Sequence, residues 1–105
     1  MVKTLDSIEE FNDAKGTTGN KLVVIDFFAT WCGPCINIAP KIEELAKEVT
    51  GVDFYKVDVD VNGDAAESVG ISAMPTFKFY KNGKEVHEIV GANFDKIKEA
   101  VNTHK

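Results

Sequence analysis

The stretch Leu22-Val23-Val24-Ile25-Asp26-Phe27-Phe28-Ala29-Thr30-Trp31-Cys32-Gly33-Pro34-Cys35 decides the fold. Its first part, 22–29, is an apolar run broken only by Asp26. Such a run fits a strand covered on both faces, as at the centre of an α/β sheet. Downstream, Ile38, Ile42, Leu45, Ala46 and Val49 fall at i, i+4, i+7, i+8 and i+11, a helical stripe. Cys32 therefore stands where a buried strand hands over to a helix. Unpaired amides and the helix dipole at that end favour an anion, which lowers a thiol's pKa and enriches the nucleophilic thiolate. Cys35 follows one helical turn later, so its sulfur can approach that of Cys32. Gly33 adds no side chain to obstruct a partner, and Pro34 suits an early helical position. Pro40 lies inside the stripe, where the missing amide donor predicts a kink.

Cys32 and Cys35 are the chain's only cysteines. A disulfide-stapled secreted domain typically carries about four or more, closing longer loops. Closing so short a loop removes little unfolded-state entropy, so the pair is a poor structural staple. Two thiolates are too few for an iron–sulfur cluster or a Cys₄ zinc site. His87 and His104 lack zinc-finger spacing, and Ile36 breaks the haem-attachment pattern. Thiol–disulfide exchange is the chemistry left: Cys32 attacks a partner disulfide, and Cys35 resolves the mixed disulfide. The plainer alternative is two reduced cysteines that only pack.

On either side of this stretch the elements alternate. Residues 2–5 make a short strand, and Ser7-Ile8-Glu9-Glu10 reads as a capping box for a helix carrying Ile8, Phe11 and Ala14. Gly16-Thr17-Thr18-Gly19-Asn20 ends that helix in a turn. Residues 52–59 form a strand, and 64–69 a short helix stopped by Gly70 in the left-handed conformation. Residues 76–81 alternate as a strand, Asn82-Gly83 marks a type I′ hairpin, and 85–90 returns. Asn93 caps a last helix with Phe94, Ile97 and Val101 inward. The order β-α-β-α-β-α-β-β-α predicts one α/β sheet with an antiparallel edge and helices on both sides.

The 105 residues, 11.5 kDa, suit a single domain over 1–105. Twelve Lys and Arg against seventeen Asp and Glu give a net charge of -5. That balance argues against nucleic acid or an anionic membrane as partner. No apolar run reaches the ~18 residues of a membrane span, and residues 1–11 lack the apolar core of a signal peptide.

Residues 28–35, then Lys56-Val57-Asp58-Val59-Asp60, Ala73-Met74-Pro75-Thr76-Phe77 and Lys81-Asn82-Gly83, in this order and spacing, resemble the thioredoxin family in its small cytosolic eukaryotic form. Thioredoxins are themselves the standard illustration of this cysteine motif. The resemblance spans essentially the whole chain. It implies the thioredoxin fold, a central mixed five-stranded sheet flanked by four helices, and a protein-disulfide reductase. It further implies no bound cofactor or metal, re-reduction by an NADPH-dependent thioredoxin reductase, and disulfide clients such as peroxiredoxins and reductases. The implied protein is a monomer in the cytoplasm, with the nucleus as a second compartment.

Asp26 is out of place in an apolar strand, and burial should raise its pKa. One reading is a structural carboxylate paired with Lys56. The other, implied by the resemblance, is a proton acceptor and donor for Cys35 through water, tuned by Lys56. At Met74-Pro75 a trans bond is the general expectation, whereas the resemblance implies a cis proline facing the cysteines. It also implies a client-binding surface of Trp31, Gly33, Pro34, Ala73, Met74, Pro75, Gly91 and Ala92, with Asp60 under the Trp31 indole N–H. There the backbone at residue 74 would pair with an extended client segment. Ile36 stands where the family commonly has Lys or Arg; its helical phase sets it off the buried stripe. His87 and His104 read as solvent-exposed residues without a role.

Two further readings stay open beside the reductase. A disulfide oxidase or isomerase is disfavoured by the Gly33-Pro34 pair, where oxidising relatives usually place a histidine. A non-catalytic binding module on the same fold would not need its thiols.

Overall fold

The computed structural model describes residues 2–105. Among these the elements run β1 (Val2–Thr4), α1 (Ile8–Lys15), β2 (Leu22–Phe28), α2 (Gly33–Glu48), β3 (Val52–Asp58), α3 (Gly63–Ser68), β4 (Thr76–Lys81), β5 (Lys84–Val90) and α4 (Phe94–His104). The strands form one sheet in the order β1-β3-β2-β4-β5. β1 and β2 lie parallel to β3, while β4 runs antiparallel to both β2 and β5. The order and the antiparallel edge agree with the alternation read from the sequence.

Strand alternation sorts β2 onto two cores. Leu22 and Val24 pack with Ile38, Ile42 and Leu45 of α2 and Ile97 and Val101 of α4. Val23, Ile25 and Phe27 pack on the opposite face with Phe11 and Ala14 of α1, Ala65 and Ala66 of α3, and Tyr80. Period-2 alternation puts Asp26 on the face of Leu22 and Val24, the one that α2 covers.

The local punctuation follows the sequence with small shifts. Ser7 Oγ accepts the Glu10 amide at 3.1 Å, and Glu10 Oε1 accepts the Asp6 amide at 2.8 Å, one residue before the amide of an ideal capping box. Asn82 and Gly83 have φ of 52° and 80°, the paired positive values of a type I′ turn. Asn82 is held in place by Asn20, whose amide N–H donates to Asn82 Oδ1 at 3.1 Å. α2 runs through Pro40 as one helix. The carbonyl that Pro40 leaves without a helical donor belongs to Ile36, and both residues are exposed, so water can satisfy it. β3 stops at Asp58, short of the expected 59, because Asp58 Oδ1 turns back to accept the amides of Asp60 at 2.9 Å and Val61 at 3.4 Å.

Phe11 is fully buried, edge-on to Phe27 at 5.8 Å and to Tyr80 at 6.2 Å, and ties α1 to the sheet. Phe11→Ala should therefore cost about 3–5 kcal/mol through lost transfer energy and a residual cavity. Urea denaturation measures it, and a loss below about 1 kcal/mol would contradict this anchoring role.

Candidate active site

The site gathers three chain segments at the C-terminal end of β2. The first is the N-terminus of α2. Cys32 is its cap residue: the Cys35 amide donates to Cys32 Sγ at 3.3 Å, and the Ile36 amide donates to the Cys32 carbonyl at 3.1 Å. Cys32 and Cys35 form a disulfide with their Cα atoms 5.3 Å apart, within the usual range for a bridge. Both residues are buried, Cys32 at 7% exposed and Cys35 at 3%, so Cys32 is the more accessible by a narrow margin. A Cβ built on Gly33 would meet nothing within 4 Å, so the fold itself does not require glycine there. Its absent side chain leaves the approach to the sulfurs open.

The second segment is the turn 73–76. The Met74–Pro75 bond is cis, as the family resemblance implied and against the general expectation. Met74 O lies 3.7 Å from Cys32 Sγ. Thr76 Oγ1 donates to the Ala73 carbonyl at 2.7 Å and so closes the turn. The third segment carries Gly91 and Ala92: the Gly91 amide donates to the Pro75 carbonyl at 2.8 Å, with Gly91 at φ 106°, a value that favours glycine. The residues expected to form a client surface thus come together at the disulfide.

Trp31 is 67% exposed, with its indole N–H donating to Asp60 Oδ2 at 2.9 Å. It is a held surface residue, not core. Ile36, 59% exposed, turns outward as its helical phase predicted. Asp58 and Thr76 are functional supports that the sequence reading missed. Asp58 folds the loop that presents Asp60, and Thr76 clamps the turn beside the disulfide. The Asp-Val-Asp spacing and the hydroxyl directly after Pro75 were the available signals.

Asp26 is only 6% exposed, and Oδ1 has no hydrogen-bond partner in the protein. Burial pushes its carboxyl up to about 7, against a smaller opposing pull from the Lys56 ammonium. Asp26 and Lys56 sit opposite each other in the β2–β3 register. Yet no ion pair joins them among the described residues; the ammonium lies 5.7 Å from the Phe28 ring centroid. The structural pairing with Lys56 expected as one reading is thus not a direct ion pair, and the Lys56 charge acts on Asp26 from a longer distance. Cys35 lies on the buried side of the first turn of α2, which covers the sheet face that carries Asp26. His87 is exposed, as expected, whereas His104 is half-buried, and the two rings come together against Phe79.

A cysteine pair one turn apart, capping a helix and flanked by a cis-proline turn on a mixed sheet, defines a thiol–disulfide oxidoreductase. The Thioredoxin family model matches residues 3–103. A thioredoxin of Geodia cydonium is 53% identical over 106 residues, covering all of both chains. Thioredoxin-2 of Saccharomyces cerevisiae is 52% identical over 101 residues, 96% of each chain. The X-ray structure of Fasciola hepatica thioredoxin superposes with a TM-score of 0.95 at 48% identity, covering 99% of this chain and 100% of that one. The chain belongs to the thioredoxin family and is a protein-disulfide reductase with a redox-active cysteine pair.

The raised Asp26 pKa has a stability consequence. Below about pH 3 the carboxyl is protonated both folded and unfolded and costs nothing. Between 3.8 and about 7 the unfolded chain ionises first, so folding loses stability; above that range the loss is constant, on the order of 4 kcal/mol. Asp26→Asn removes this ionisation but keeps a buried polar group worth about 1–3 kcal/mol of penalty. The variant should be about 1–3 kcal/mol more stable than wild type at pH 8 and gain nothing at pH 4. Urea midpoints at both pH values check this; an equal gain at both would refute a buried ionising carboxyl.

Proposed function

We propose that one thioredoxin domain spanning 1–105 reduces client disulfides with Cys32 as the attacking and Cys35 as the resolving thiol. The observation that carries this is the cap geometry: Cys32 Sγ accepts a helix-terminal amide, and Cys35 lies deeper, on the sheet side of α2. In the reduced protein, amide donation and the helix dipole favour the Cys32 thiolate. The thiolate attacks one client sulfur, and the other leaves as a thiolate. Asp26, ionised, takes the Cys35 proton through water. Cys35 then attacks Cys32 Sγ; the intramolecular disulfide forms, and the client departs with two electrons and, after protonation, two thiols. Lys56 tunes Asp26 by its charge. Electrons pass through the two sulfurs alone, with no bound cofactor.

An NADPH-dependent thioredoxin reductase returns the two electrons, and peroxiredoxins and other reductases are among the clients. Trp31, Gly33, Pro34, Ala73 and Ala92, which are exposed, with the half-buried Met74 and Gly91 and the buried Pro75 between them, form the client contact, with Asp60 holding Trp31. The protein works as a monomer in the cytoplasm. Neither nucleic acid nor membrane is a partner of a surface with net charge -5.

Cys35→Ser should accumulate mixed disulfides with client proteins, while Cys32→Ser should not. Trapping by the Cys32 variant would reverse the assignment. The potential of the couple separates reductase from oxidase: near −270 mV, the general thioredoxin benchmark and not a value derived from this fold, against about −180 mV for protein disulfide isomerase.

Ile36 adds apolar surface directly after Cys35. Replacing it with lysine removes roughly 1 kcal/mol of apolar contact and adds a cation. Ile36→Lys should shift the kcat/KM ratio about fivefold from disulfide peptides with apolar flanks toward those with acidic flanks. An unchanged ratio would exclude Ile36 from client choice.

A further inference from the structure

The chain's only two histidines, His87 on β5 and His104 at the end of α4, are separated by most of a helix, yet their ring centroids stand 5.2 Å apart. Phe79 of β4 backs both rings, at 5.5 Å from His87 and 6.4 Å from His104. Every ion pair among the described residues uses a lysine, so no carboxylate engages either imidazole. A neutral imidazole keeps one nitrogen lone pair, and imidazole nitrogen suits zinc, nickel and cupric ions.

The spacing fits a shared ion. With a metal–nitrogen bond of about 2.1 Å and a ring radius of about 1.1 Å, each centroid lies ~3.2 Å from the metal; a tetrahedral angle then sets the centroids about 5.2 Å apart. A groove of about 570 Å³ beside the pair, with Glu99 and Thr103 of α4 on its wall, leaves room for water on the ion. We propose that His87 and His104 form a two-histidine site for a borderline divalent transition cation, zinc, nickel or cupric, whose other positions are filled by water. Among the described residues no three His, Cys, Asp or Glu gather around one point. The site is therefore open and exchangeable, unlike a closed structural centre. It bridges the edge strand and the last helix, and occupancy braces α4 against the sheet. It is independent of the redox reaction, whose thiols play no part in it.

Stacking of two neutral rings on Phe79 also suits this distance, but stacked rings bind nothing. Zinc chloride titrated into the full-length oxidised protein, in which the disulfide blocks both sulfurs, distinguishes the two. Calorimetry should find one ion per chain. His87→Phe, which keeps a ring against Phe79 but removes the ligand, and His104→Ala should each weaken binding at least tenfold. The double variant should lose less than the sum of the two single losses, as a shared chelate requires. Thermal unfolding in chelator confirms that the variants fold. Absence of saturable zinc binding, wild-type affinity in either single variant, or losses that simply add would overturn the site.

Discussion

Closing both faces of β2 from water is the constraint from which the site follows. α2 and α4 cover one face and α1 and α3 the other, with β3 and β4 taking the backbone hydrogen bonds along both edges. A strand so enclosed is rigid, and its end is a fixed point in space. The chain leaves that point through Ala29, which is fully buried and packs with Cys32 and Cys35. The amide of Cys32 donates back to the Ala29 carbonyl at 3.2 Å, and α2 begins at once. The helix N-terminus, with its unpaired amides, is thereby fastened to the centre of the core. Cys32 is placed by the packing of the whole sheet.

The same enclosure explains the one residue that opposes it. A carboxylate on the covered face of a central strand loses its hydration, and Lys56 recovers only part of that loss because its ammonium sits over Phe28. The cost of burial brings the Asp26 carboxyl to about 7, where it both accepts and releases a proton near neutral pH. Replacing Asp26 by an apolar residue would improve the core and remove that property. Local destabilisation retained at a reacting centre is the expected pattern where function and packing compete.

Much of this was legible in the sequence. The apolar run 22–29, the helical stripe behind it and the Asn82-Gly83 turn each carry strong local physics, and the structure returns all of them. Asp26 stood out because a charge in an apolar strand conflicts with its surroundings. Less legible were features made by tertiary contact. Local pattern says nothing of the distance between His87 and His104, since it depends on where α4 ends against β5. Asp58 and Thr76 act through backbone turns whose geometry only the folded chain defines. Lys56 lies opposite Asp26 in register, yet register alone does not tell whether two long side chains meet. The cis bond at Pro75 needed the family resemblance, because local sequence favours trans.

The three segments of the site are joined mainly through backbone groups. Met74 O lies 3.7 Å from Cys32 Sγ and the Gly91 amide reaches the Pro75 carbonyl, while the Cys35 amide and the Thr76 hydroxyl brace their own turns. Bonds of this kind hold the reacting geometry without using the side chains that face solvent. Trp31 needs one further link, its bond to Asp60, because a large exposed ring would otherwise sample many orientations. Ile36 and Ala92 are exposed and carry no such duty, so their side chains can change with little effect on the sulfurs, whereas Met74 packs against the cysteine pair. Chemistry is thus fixed by the backbone, and the surface that meets a client is left free to specify it.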